Sequence, residues 1–250
     1  MPSRLAYLKA LEIDVWERRQ RAGSPSQQQG AEIVDLLPPS APTQSQPEVA
    51  ARQVELDDVS QLPWEDLKAA VLGCTRCPLH LTRTQGVFGV GDAQAQWMVI
   101  GEAPGADEDR QGEPFVGRAG QLLNSMLRAI GLKREQVFIA NILKSRPPNN
   151  RDPRPEEVRA CLPYLFRQIE LIDPKLILCV GRIAAQTLLQ SDLPIGKLRG
   201  KLHRIARDRP MIVTYHPAYL LRSPSEKRKS WEDLLLAVRT FDSLRAGSSR

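Results

Sequence analysis

No apolar run in this 250-residue chain approaches the roughly 18 residues that a membrane span requires. Its amino terminus also lacks the apolar core of a secretory signal, so a cytoplasmic protein with no membrane partner is expected. Acidic side chains are short in one part only. Residues 1–60 carry 6 basic and 9 acidic groups, net −3 against +6 for the whole chain, which leaves residues 61–250 at +9. A basic body favours a polyanionic partner, with nucleic acid first among them. Cysteine is scarce: Cys74, Cys77, Cys161 and Cys179. In a reducing compartment, Cys74-Thr75-Arg76-Cys77 reads as metal-binding or redox-active rather than as a structural disulfide. It precedes the first strand, a position that suits a metal clip better than a thioredoxin-like site. On spacing alone, an iron–sulfur cluster, zinc and plain packing cysteines all remain open.

Residues 1–21 interleave Leu5, Leu8, Leu11, Ile13, Val15 and Trp16 with charge, an amphipathic segment that reads as a helix docking a protein partner, a helix folded back on the body, or a loosely ordered terminus. Residues 22–61 are rich in Gln, Pro, Ser and Ala without a sustained period. That composition buries too little apolar surface to offset chain entropy and predicts a flexible linker. Residues 62–245 form the expected domain. The apolar runs Trp97–Ile100, Val137–Ala140, Leu176–Val180 and Met211–Thr214 read as short buried strands. Helical stretches lie at Pro63–Leu72, Ala119–Ile130, Pro155–Ile172, Ile183–Gln190 and Trp231–Phe241. Their alternation predicts an α/β fold, three-layered α/β/α, with a four-stranded, mainly parallel sheet. The strand ends then align Glu102, Asn141, Gly181 and His216 on one rim, where ligands of such sheets bind.

Four loop motifs carry more. Gly101-Glu102-Ala103-Pro104-Gly105 follows the first strand, and Gly112-Glu113-Pro114-Phe115-Val116-Gly117-Arg118-Ala119-Gly120 comes next. Asn141 stands ahead of Arg146-Pro147-Pro148-Asn149-Asn150-Arg151, and His216-Pro217-Ala218-Tyr219-Leu220-Leu221-Arg222 follows the last strand. In this order and at these spacings, the series resembles family 4 uracil-DNA glycosylases over about residues 70–242. The resemblance implies a monomeric DNA repair glycosylase that hydrolyses the N-glycosidic bond of uracil and leaves an abasic site. A rival expectation is a DNA-binding module of the same fold with little turnover, recruited through residues 1–21.

Breaking that bond gives the sugar oxocarbenium character and the departing uracil negative charge. The resemblance implies that His216 supplies a donor to the leaving base, Asn141 reads its edge and Phe115 stacks on it. Glu102 is the expected water-positioning carboxylate, with Glu108 and Asp109 as alternatives, while the backbone of Gly101, Ala103 and Gly105 shapes the pocket. Leu220 or Leu221 is the expected wedge for the vacated base stack. Arg222 is expected to contact substrate. Phosphate contacts are expected from Lys144, Arg146, Arg151, Arg154, Lys197, Arg199, Lys201, Arg204, Arg207, Lys227, Arg228 and Lys229.

The family carries a four-cysteine [4Fe–4S] cluster. Cys74, Cys77 and Cys161 match its first, second and fourth places, but the third is Ser145. Cys179 lies in an apolar strand and reads as core. Three expectations follow: a cluster held by three thiolates with Ser145, another group or, as the lesser alternative, Cys179 as fourth ligand, zinc, or no metal.

Overall fold

The computed structural model describes residues 59–205 and 207–247. The amphipathic segment 1–21 and most of the linker lie outside the described residues. The linker expectation runs slightly too far: Val59–Gln61 forms a 3-10 turn, with Val59 buried in the core.

The elements in chain order are α1 (Trp64–Leu72), β1 (Val90–Gly91), β2 (Trp97–Gly101), α2 (Ala106–Gln111), α3 (Arg118–Ala129) and β3 (Phe138–Asn141). They continue with α4 (Pro155–Ile172), β4 (Leu176–Val180), α5 (Arg182–Leu189), α6 (Ile195–Leu198), β5 (Leu202–Ile205), β6 (Arg209–Thr214), α7 (Pro217–Arg222) and α8 (Lys227–Gly247). The sheet has six strands in the order β1-β3-β2-β4-β6-β5. β3, β2, β4 and β6 are parallel, and they are the four expected strands. β1 and β5 add antiparallel edges. Neither has an apolar run to announce it: β1 is two residues long, and β5 reads Leu-His-Arg-Ile.

Both faces of the sheet are covered, as its buried parallel strands require. Met98, Ile100, Ile177 and Cys179 point into one core, beside Leu67, Tyr164, Leu165 and Ala184. Trp97, Val99, Leu176, Leu178 and Val180 point into the other, beside Leu123, Leu127, Leu234 and Phe241. α4 starts with Pro155 at its first turn and Glu156 and Glu157 at the positive end of its dipole. From β2 the chain moves to β3 on one side, then crosses to β4 on the other. Ligands bind at such a switch of direction, outside the carboxyl ends of the strands.

Candidate active site

A cavity of about 740 Å³ opens at that crevice, lined from the loops after β2, β3, β4 and β6. Glu102, Ala103, Gly105, Phe115, Asn141, His216 and Arg222 all contribute, so the motif series converges on one place. Gly101 is not part of the lining; it stands behind Asn141 and Phe115, which are. A Cβ there would stand 2.5 Å from Asn141 Oδ1 and 2.6 Å from Phe115 Cζ, so only glycine leaves room for both.

Asn141 ends β3 and is 3% exposed. Among the described residues, its Oδ1 is the buried side-chain polar atom without a hydrogen-bond partner. Unmet polar groups of this kind are costly inside a protein, and they persist where a ligand completes them.

Phe115 sits in the left-handed region at φ 55°. Three devices hold it there. Arg134 donates to the carbonyls of Phe115 (3.1 Å) and Pro114 (2.6 Å). Gly120 on α3 lets the Phe115 carbonyl approach to a point where any Cβ would collide with it. Glu108 accepts from the backbone N–H groups of Gly105, Val116 and Gly117. The Phe115 ring stacks on His216, with centroids 5.5 Å apart and planes 29° from parallel.

His216 caps α7, and its Nδ1 accepts from the Ala218 N–H at 3.1 Å. That bond leaves the proton of a neutral ring on Nε2, as a donor. Burial brings the imidazole down to about 4, with Arg222 adding to the fall and Glu108 opposing it. At neutral pH the ring is therefore an uncharged donor.

The three candidate carboxylates separate by their partners. Both oxygens of Glu108 serve the backbone, while Asp109 accepts from Thr84 N–H and Oγ1. Glu102 lines the cavity, and burial raises its carboxyl to about 7, with Asp152 adding to the rise and Arg182 opposing it. Asp152 and Arg182 pair at 3.0 Å across the mouth. These two line the cavity without having been singled out in the sequence, and Tyr215 lines it too, with the guanidinium of Arg199, an expected phosphate contact, 5.6 Å from its ring centre. Their signal is positional: each follows a strand or belongs to a motif already named.

Several expectations need correction. Leu220 is not exposed: at 1% it belongs to the core, which leaves half-buried Leu221 as the wedge candidate of the pair. Lys144 is not at the rim either. It is 1% exposed, and burial lowers its ammonium to about 7. Arg204 and Arg207 flank the turn that leads into β6, at the edge of the sheet opposite the cavity, where Arg207 pairs with Glu170 at 2.7 Å. Arg151 and Arg199 are engaged by Glu157 and Asp233. Exposed Arg154, Lys197, Lys201, Arg222, Lys227 and Arg228 remain available on the basic surface.

Cys74, Cys77, Cys161 and Ser145 occupy one corner, away from the cavity lining. Cys161 bonds Cys77 and lowers its thiol to about 6, and Tyr164 donates to Cys74 Sγ at 3.3 Å. Arg83 donates to Ser145 Oγ at 2.7 Å and to the Cys74 carbonyl at 2.9 Å. Among the described residues, no group of three or more Cys, His, Asp and Glu is placed to hold a metal. The corner therefore does not fit the four-thiolate cluster that the resemblance implies. Cys179 is fully buried at the centre of the sheet, and burial pushes its thiol up.

A family model described as the uracil DNA glycosylase superfamily matches residues 88–235. The chain is 48% identical over 175 residues to a type-4 uracil-DNA glycosylase of Archaeoglobus fulgidus, across 67% of this chain and 87% of that protein. Two further type-4 uracil-DNA glycosylases are similar. The one from Pyrobaculum aerophilum is 43% identical over 179 residues (69% and 91%), and the one from Thermotoga maritima is 44% identical over 164 (65% and 85%).

Proposed function

The chain belongs to the uracil DNA glycosylase superfamily and groups with its type-4 members, and from that premise we propose that it excises uracil from DNA by hydrolysing the N-glycosidic bond. The partner is DNA, and the product is an abasic site.

The observation that carries this reading is the unpartnered Oδ1 of Asn141, buried beside the space that Gly101 leaves for it. Uracil presents a donor at N3 and an acceptor at O4, and a carboxamide complements both. Cytosine presents an amine and a bare nitrogen there, so an amide held in the uracil-reading orientation pairs with neither.

The remaining roles follow from chemistry. The flipped base stacks on Phe115. As the bond lengthens, charge gathers on uracil O2, and the Nε2–H of neutral His216 donates to it. A neutral donor suits this step because it stabilises the anion without releasing its own proton. Glu102, when ionised, orients water toward the anomeric carbon and stabilises the sugar cation. Its carboxylate is the one of the three not committed to backbone or to Thr84. The chain's own residues supply each of these groups.

The direct test is incubation with a uracil-containing oligonucleotide, followed by alkali. Strand cleavage at the uracil position is expected, together with release of free uracil. If stoichiometric, folded protein gave no alkali-labile product over hours, the reading would be wrong.

A further inference from the structure

Lys144 places a buried amine among uncharged acceptors. Its Nζ donates to the Asn141 carbonyl at 2.9 Å, to Gln168 Oε1 at 2.6 Å and toward the Phe88 carbonyl at 3.5 Å. An ammonium in such a place is costly, and an apolar side chain of the same length would fill the space at less expense. Packing therefore does not explain it. Its bonding does.

The ammonium's three donors join three separate pieces of chain. One is the last peptide of β3. Another is Gln168 on α4, whose Nε2 donates to the same Phe88 carbonyl at 2.8 Å. The third is the segment before β1, which returns a bond from Val87 N–H to the Lys144 carbonyl at 2.8 Å. The carbonyl of Asn141 is thus tied to the body of the protein on the side of the sheet away from the cavity. Its amide oxygen has no such tie. The direction of that amide is set by the peptide from which it springs.

We propose that Lys144 is a positioning residue for Asn141: it fixes the end of β3 so that the base-reading amide stands in place before uracil arrives. This rests on the reading of Asn141 given above. Reading a planar base edge through a pair of hydrogen bonds tolerates little displacement, and a shift of about 1 Å in such a group can lower a rate by about 10²-fold.

The test is a double-mutant cycle on single-turnover excision, with inhibition by free uracil as a second readout. Lys144→Met is expected to slow excision by about 10- to 100-fold and to weaken free-uracil binding in parallel. The change also leaves Gln168 Oε1 and the Asn141 carbonyl without this donor, so a lower melting temperature is expected, and the cycle is read on variants that remain folded at the assay temperature. In an Asn141→Ala background, the same Lys144→Met change is expected to cost less than about 3-fold, since the group it positions is gone. Equal losses in both backgrounds would show a merely structural lysine and overturn the proposal. Gln168→Leu, which slackens the same tether from α4, is expected to act in the same direction more weakly. It carries the cycle, under the same criterion, should Lys144→Met fail to fold. If Asn141→Ala alone leaves excision at its original rate, the reading of the pocket falls, and the proposal falls with it. Slow excision in Asn141→Ala with an undiminished further loss from Lys144→Met overturns the proposal alone.

Discussion

The amide oxygen of Asn141 lies 2.5 Å from the point where a methyl group on Gly101 would project. One added carbon at the end of β2 would therefore push on the residue proposed to read the base. The same carbon would also meet the Phe115 ring, at 2.6 Å. Gly101→Ala is expected to lower uracil excision by about 10²-fold through misplacement. Affinity for undamaged DNA should change little, because the basic surface is untouched. Excision and binding measured side by side check this. A parallel loss in both would mean that the fold had been disturbed.

Asn141→Ala and His216→Ala are each expected to reduce the single-turnover rate by about 10²- to 10³-fold, as loss of a preorganised donor does. Undamaged duplex should bind as before. His216→Gln keeps a donor and is expected to recover part of the rate.

The pH dependence follows from the two perturbed groups. His216 is held down at about 4, so it stays neutral, with its Nε2 donor intact, across the neutral range. Glu102 is raised to about 7, and its working form is the ionised one, so the rate should climb as pH rises through about 7. DNA phosphates can only move that midpoint upward. Glu102→Gln should flatten the profile at a low rate. It should also raise the melting temperature at alkaline pH. A carboxyl that resists ionisation in the folded state but not in the unfolded one loses stability as pH rises from its unfolded value to about 7. A melting series across pH 5–9 decides this second point.

The metal corner gives a comparative prediction. Ser145 offers a hydroxyl already bonded by Arg83 where the family has a thiolate. After anaerobic reconstitution, the natural chain is expected to hold fewer than about one iron per molecule, and Ser145→Cys roughly four, as a four-thiolate cluster requires. Iron analysis and visible absorbance measure both. Three to four irons on the natural chain would reverse this conclusion. Excision by the natural chain is expected to survive chelators.

Salt dependence separates the two edges of the sheet. Each phosphate contact contributes about −0.9 to the slope of log affinity against log salt. Arg222→Ala, at the cavity, should make that slope shallower by about one. Arg207→Ala, at the opposite edge and paired with Glu170, should leave it unchanged.

The central strands were legible because they are apolar on both faces, and α4 was placed to the residue by Pro155 and its acidic first turn. β1 and β5 were not legible. An edge strand two residues long has no period, and β5, with Leu202 and Arg204 exposed and only Ile205 buried, resembles a basic loop. At the site, the motifs brought the right residues to one cavity, since each lies directly after a strand. Burial within a loop was harder to read. Leu220 looked exposed because it follows His216 in a motif, yet α7 turns it inward. Lys144 looked like one more basic residue in a basic segment. Only the packing of α4 against the end of β3 reveals where its ammonium goes.

The cavity also has a history within each molecule. Glu102 and His216 are more than a hundred residues apart in the chain, yet they line the same pocket. β6, which delivers His216, pairs in parallel with β4, and β4 pairs with β2, which delivers Glu102, so the pocket is complete only when both pairings have formed. Contacts so distant in sequence form late, because their loop closure must be met before they contribute. During refolding, helical signal should therefore return well before glycosylase activity. A chain stopped short of β6, as on a ribosome still translating it, would have most of its sheet and no active site.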